Sequence, residues 1–193
     1  MNWAHHWICR CAWWRRKLTH DLVPWVLNGY SLGARTLEIG PGPGLTSEIL
    51  QHRSASMVCV ELDVQLACGL RERKMGNHVH LVCGDAAALP LASESFDSVV
   101  AFTMLHHVKS AAAQDALFRE AARILRPGGV FAGTDSRESP LFRLIHWGDT
   151  MQMINPDTLS ERLHQAGFVD MEIECRNYEF RFFARRAITA ASA

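Results

Sequence analysis

The chain has 193 residues, 48% of them hydrophobic, which is enough for one domain with one core; its 20 Lys and Arg balance its 20 Asp and Glu to a formal net charge of zero. That balance removes the broad positive field on which non-specific nucleic-acid binding depends, so no nucleic-acid partner is expected. No apolar run approaches the roughly 20 residues of a membrane-spanning helix, so no membrane span is expected either.

The chain opens with MNWAHHWICRCAWWRRKL, in which Trp3, Trp7, Cys11, Trp14 and Leu18 recur at helical spacing and put one aromatic stripe on a helix. Such a stripe is ordinarily core packing, with Trp13, Arg15, Arg16 and Lys17 on the outer face. His and Arg interrupt the apolar patches, so the segment lacks the h-region of a signal peptide and nothing points to export. The six cysteines stand at 9, 11, 59, 68, 83 and 175 with no CxxC pair and no zinc-type spacing. They are expected to be reduced, in a cytoplasmic protein without a metal site, with Cys59 and Cys83 as small core residues of central strands.

Four short β-rich runs come next: RTLEI (35–39), SMVCV (56–60), VHLVC (79–83) and FDSVVAF (96–102). Helical patterns separate the first three, one with Leu45, Ile49 and Leu50 on a single face and one in VQLACGLRERK, so right-handed crossovers and a parallel sheet are predicted. A helix runs from Ser110 to Arg126, where RPGG is expected to stop it, and VFAG (130–133) makes the fifth strand. Asn155 caps a further helix with Pro156 at its first position and Gly167 at its end. VDMEIEC and YEFRFF then alternate in the strand period and should pair antiparallel at one edge. The expected fold class is α/β: a seven-stranded, mostly parallel sheet with an antiparallel last strand, helices on both faces and an extra N-terminal helix. Residues 1–193 form one domain, without internal repeats or a linker.

Between the first strand and its helix lies LEIGPGPGLTSEIL, with glycines at 40, 42 and 44 alternating with Pro41 and Pro43. A turn stripped of Cβ atoms lets backbone approach a ligand, and the crevice at the carboxyl ends of a parallel sheet is where ligands bind. The spacing is GxGxG, not the GxGxxG of dinucleotide binders, and Glu38 just before it would repel a pyrophosphate but suit a cation. No Gly-Lys-Ser/Thr comes after it, so this is not a P-loop.

LEIGPGPG resembles the first motif of class I methyltransferases that use S-adenosylmethionine (SAM). VCVELD, VCGDAAALPL, FDSVVAFTMLHHV and LRPGGVF succeed it in that family's order, over roughly residues 35–135, and are similar to its small-molecule, type 11-like group. The resemblance implies a Rossmann-like sheet and a cofactor site built from Glu38, Gly40, Pro41, Gly42, Gly44, Glu61, Leu62, Asp85, Ala86, Thr103 and Met104. In it, Glu61 holds the ribose hydroxyls, two acceptor oxygens meeting two donors, and Asp85 accepts from the adenine amino group with the amide of Ala86 beside it. Asp63, two residues after Glu61, reads better as a helix-start acid.

The implied reaction moves a methyl group from SAM to O, N or S of a small-molecule acceptor, chiefly by proximity and orientation, and releases S-adenosylhomocysteine. His106 or His107 is a catalytic candidate, as base or orienting donor; His106 reads equally as pocket wall, and His107 as a helix-start residue. Residues 1–30 are expected to be a helical cap, bringing His6 and Trp7 to the acceptor, and residues 136–156 an acceptor-side insertion. In that insertion His146 and Asp149 are further substrate candidates, as a base with its orienter, although a capping turn explains Asp149 equally well. A monomer or homodimer is expected.

Rivals remain at this point. Base methylation would want Asn/Asp-Pro-Pro-Tyr where the chain has Thr-Met-Leu-His, and RNA or protein substrates would meet an uncharged surface. A nicotinamide oxidoreductase is opposed by the glycine spacing. A non-catalytic SAM-binding partner subunit would carry the same motifs.

Overall fold

The computed structural model describes residues 11–139, 142–143 and 151–188. One sheet organises them: β1 (Arg35–Ile39), β2 (Ser56–Glu61), β3 (Val79–Cys83), β4 (Phe96–Phe102), β5 (Leu125–Ser136), β6 (Phe168–Cys175) and β7 (Glu179–Arg186), in the order β3-β2-β1-β4-β5-β7-β6. β1 pairs in parallel with both β2 and β4, so the strand order reverses between β1 and β4. β7 runs antiparallel to both β5 and β6 at the far edge, as the period-two alternation of the last two runs predicts.

Along β4 the side chains alternate between two cores. Val99 and Ala101 join Leu37, Ile39 and Phe131 beneath α5 (Ala111–Ile124) and α6 (Pro156–Gln165), whereas Val100 and Phe102 join Met57, Cys59 and Val130 on the opposite face. That second face carries the N-terminal helical segments, α1 (Ala12–Lys17) and α2 (Val23–Leu27) joined by a π-helical turn (Leu18–Leu22), along with α3 (Leu45–Leu50) and α4 (Val64–Arg71). Helix starts are capped as the residue types dictate: Asp63 accepts from the amides of Gln65 and Leu66, Ser110 from Ala113, and Asn155 from Asp157 ahead of Pro156.

The N-terminal helical segment is pinned to the far edge of the sheet. Lys17 pairs with Glu179 at 2.8 Å, Arg176 with Asp21 at 2.6 Å, and the Trp25 indole donates to Glu174 at 3.0 Å while the Arg176 guanidinium stacks 3.7 Å from its ring centre. Of the stripe, Leu18 is buried and Trp14 half-buried; Cys11 caps α1, its sulfur accepting from the Trp14 amide at 3.4 Å, and Trp3 and Trp7 lie outside the described residues.

Two expectations need correction. The helix over 110–126 stops at Ile124, and RPGG belongs to β5: Leu125 already pairs with Phe96, and the register then slips until Ser98 meets Val130, with Gly128 at φ 77° in the bulge. Pro127 forces this early stop, because the residue before a proline is pushed into extended backbone. Cys83 is not a core thiol, since β3 is an edge strand and Cys83 is exposed at its end; Cys59, on β2, is buried as expected. Among the described residues no helix is long and apolar enough to cross a membrane, and no cluster of His, Cys, Asp and Glu is placed to hold a metal.

Candidate functional site

At the carboxyl ends of β1, β2 and β4, where the strand order reverses, a cavity of about 600 Å³ opens. Its floor is the glycine loop, and the three glycines there make room for three different things. All have positive φ, at 63°, 54° and 84° for Gly40, Gly42 and Gly44. A Cβ at Gly40 would stand 2.9–3.0 Å from the Met104 side chain, and one at Gly44 would strike Leu70 of α4. A Cβ at Gly42 would meet nothing within 4 Å, because it would project into open space. Gly42 therefore clears volume for a ligand, Gly40 admits Met104, and Gly44 lets α4 pack against the start of α3. Gly40, Pro41 and Gly42 line the cavity; Gly44 does not.

Glu61 ends β2 with its side chain in the cavity wall and almost wholly buried. Its Oε2 accepts from the Gly42 amide at 2.9 Å and its Oε1 from the Asp63 amide at 3.0 Å. The carboxylate is thus fixed against the loop, and each oxygen keeps a second lone pair for a ligand hydroxyl. Leu62, 59% exposed, adds an apolar surface beside it. Across the cavity Asp85 makes an Asx turn, its Oδ1 accepting from the Ala87 amide at 2.8 Å, and sets Ala86 and Ala87 on the rim. A diol acceptor, an apolar slot and an acid at the far rim fit the ribose and purine of an adenosyl group.

Thr103 and Met104 form the wall at the end of β4. Thr103 has φ 50°, a left-handed conformation that is an outlier for a β-branched residue, and its amide is held by the Thr134 carbonyl at 2.8 Å. Strain of this kind costs about 1–3 kcal/mol and persists where surroundings impose it, commonly at ligand sites. Thr103→Gly is expected to raise unfolding free energy by about 1 kcal/mol in urea titrations and to weaken S-adenosylhomocysteine binding measured by calorimetry.

Besides Gly44, two more of the expected site residues are not in the wall. Glu38, 1% exposed, lies under the loop, where its Oε2 accepts from the Ser47 hydroxyl at 2.5 Å and from the Cys59 thiol at 3.6 Å. Burial raises its carboxyl above the usual range against the help of Ser47, Thr46 and Cys59, and the nearby Glu61 carboxylate adds to the rise. Glu38 shapes the loop from behind and does not contact the cavity. His106 is 2% exposed: its Nδ1 donates to Asp135 Oδ1 at 2.5 Å, and its amide to Oδ2 at 2.9 Å. Burial alone would raise Asp135; the adjacent imidazole, its hydrogen bonds and the Ser136 amide outweigh that and hold the carboxyl below the usual range. The need of a buried carboxylate for donors thus draws His106 behind the wall, and the neighbouring His107 lines the cavity instead.

His107 reads from sequence as an alternative to His106 or as a helix-start residue, and Asp135 is not among the residues the sequence singles out. The signal that could have found it is an acid two residues beyond the apolar VFAG run, near the carboxyl end of β5. Trp14 and Leu18 line the cavity from the N-terminal helix, Lys109 from the loop before α5, and Asp63 touches it while capping α4. His6, Trp7, His146 and Asp149 lie outside the described residues.

A family model for the methyltransferase domain matches residues 37–133, half of the chain. A ubiquinone biosynthesis O-methyltransferase of Xanthomonas oryzae pv. oryzae is 32% identical over 145 residues, covering 68% of this chain and 59% of that one. A malonyl-[acyl-carrier protein] O-methyltransferase of Methylococcus capsulatus is 31% identical over 156 residues, covering 74% and 54%. The chain therefore spans between about half and three-fifths of these relatives' length. Among solved structures, the N-methyltransferase NodS from Bradyrhizobium japonicum, solved with S-adenosylhomocysteine, superposes with a TM-score of 0.70 at 17% identity over 93% of this chain and 90% of that one, a likeness of fold. With the family model across β1 to β5 and the motif order intact, the chain belongs to the SAM-dependent class I methyltransferase family.

Proposed function

We propose that the chain binds SAM in the 600 Å³ cavity and transfers its methyl group to a small-molecule acceptor at O, N or S. The observation that carries this reading is the open space over Gly42 beside the carboxylate of Glu61, which is already fixed by two amides. SAM, when bound, supplies a methyl group activated by a sulfonium. The chain's own residues have the tasks of orientation and water exclusion, which can contribute about 7–11 kcal/mol. Glu61 and Asp85 grip the nucleoside. Thr103 and Met104 face the reacting end, and Trp14 and Leu18 shield it from solvent. His107, in the wall one residue beyond the assigned His106, takes over the role of orienting donor or proton acceptor. Residues 1–30 as a cap and 136–156 as an insertion complete the acceptor side, with His6, Trp7, His146 and Asp149 as its polar and aromatic groups. The two relatives named as O-methyltransferases support oxygen as the receiving atom.

A coupled assay for S-adenosylhomocysteine release, run across thiols, phenols, amines and carboxylic acids, tests the reading. Turnover with one acceptor class is the expected result. Calorimetric uptake of SAM with no turnover on any class would point to a non-catalytic binding subunit, and no uptake would overturn the cofactor assignment.

A further inference from the structure

Arg123, on α5, lies outside the cavity wall, yet its guanidinium donates five hydrogen bonds. Nε donates to Glu120 Oε1 at 2.7 Å. Nη1 donates to the Leu91 carbonyl at 2.9 Å and the Ser93 hydroxyl at 3.1 Å. Nη2 donates to the Leu89 carbonyl at 3.0 Å and to Glu120 Oε2 at 2.8 Å. A guanidinium has five N–H donors, so every one is engaged. Glu120 Oε2 in turn accepts from the Leu89 amide at 2.7 Å, so the Arg123–Glu120 pair holds both backbone groups of Leu89.

The loop so held is the connection from β3 to β4, and its first half is the cavity rim at Asp85–Ala87. Upstream the rim is anchored by the Gly84 amide on the Glu61 carbonyl at 3.0 Å. Downstream, the buried Leu89 side chain enters the core and its backbone is clamped by Arg123 and Glu120. Between these two anchors the Asx turn at Asp85 leaves the rim little freedom. The Glu120 carboxyl lies below the usual carboxylate range, chiefly because Arg123 hydrogen-bonds to it, which keeps the pair ionised at neutral pH.

We propose that Arg123 is a positioning residue for the adenosyl cofactor, acting through the Asp85–Ala87 rim whose downstream end it fixes. The proposal rests on the cofactor reading above and deepens it, by placing part of the affinity in a fork of hydrogen bonds on the far side of the loop. Lysine cannot stand in, because an ammonium has three donors and no planar fork to span Glu120 and the carbonyls of Leu89 and Leu91.

Calorimetry of S-adenosylhomocysteine binding, together with amide hydrogen exchange on the ligand-free protein, tests it in wild type, Arg123→Lys, Arg123→Ala and Glu120→Gln. Arg123→Ala and Arg123→Lys are expected to raise the dissociation constant about tenfold and to speed exchange at residues 85–89. Glu120→Gln should fall between these and wild type, since it keeps an acceptor but loses the charge. Lowered melting temperatures with unchanged dissociation constants and unchanged exchange at 85–89 would make Arg123 merely structural and overturn the proposal. Should Arg123→Ala fail to fold, Arg123→Lys and Glu120→Gln decide the matter by the same readouts. A wild type that binds while the variants bind equally well sinks the clamp alone; a wild type that takes up no S-adenosylhomocysteine sinks the cofactor reading and the clamp with it.

Discussion

Glu61→Ala is expected to raise the dissociation constant for S-adenosylhomocysteine about 100-fold in isothermal calorimetry, a loss of about 2.7 kcal/mol. Two effects add. The substitution removes a carboxylate whose lone pairs face the cavity, and hydrogen bonds to a charged group contribute about 1.5–3 kcal/mol each. It also frees the Gly42 amide, which Glu61 Oε2 now holds at 2.9 Å, so the loop loses the contact that fixes its open side. Glu61→Gln separates the two. It keeps the side-chain shape and one acceptor oxygen but turns an N–H₂ toward either the Gly42 or the Asp63 amide, two donors facing each other. Its affinity should lie between wild type and Glu61→Ala. Binding by Glu61→Ala within about threefold of wild type would remove the diol-holding role.

Gly133→Ala should be the most damaging one-carbon change in the sheet. Gly133 sits mid-β5, paired with Ala101 on one side and Phe182 on the other. A Cβ there would strike the Ala101 carbonyl oxygen and stand 2.7–2.8 Å from the Phe182 ring. The oxygen is backbone within a ladder, and the ring is fully buried and packed edge-on to Phe131 at 4.8 Å, so neither can yield cheaply. Overpacking of this kind costs about 3 kcal/mol, or about 6–12 °C in melting temperature for a domain of this size. Gly69→Ala is the control: Gly69 lies within α4 with nothing near its Cβ position, and alanine there should gain about 0.5–1 kcal/mol. Chemical denaturation of both variants checks the contrast.

The sheet and its direction were legible because hydrophobic periodicity and turn chemistry are local. Strand order is not local, which is why Cys83, in an apolar run like that of Cys59, reads as central although β3 lies at the edge. The glycine loop shows the same limit within five residues. Spacing announces that backbone approaches something at 40, 42 and 44, but Met104 and Leu70 fill two of those positions from distant parts of the chain. Glu38 was legible as an acid beside the loop and not as a buried one, since its depth depends on Ser47 and Cys59 closing over it. His106 and His107 are adjacent, and which one faces the cavity is decided by Asp135, 29 positions beyond His106.

The reversal of strand order between β1 and β4 divides the labour of the cavity. Glu61, Leu62 and Asp85 come from the β1–β3 side, whereas Thr103, Met104 and His107 come from the β4 side. Under the proposed function, the groups for the common donor and those for the recipient lie mainly on separate stretches of backbone flanking the β1–β4 pairing. On that proposal, a new recipient calls for changes beyond Met104 in the loop leaving β4 and in the segment after β5, with Glu61, Leu62 and Asp85 kept.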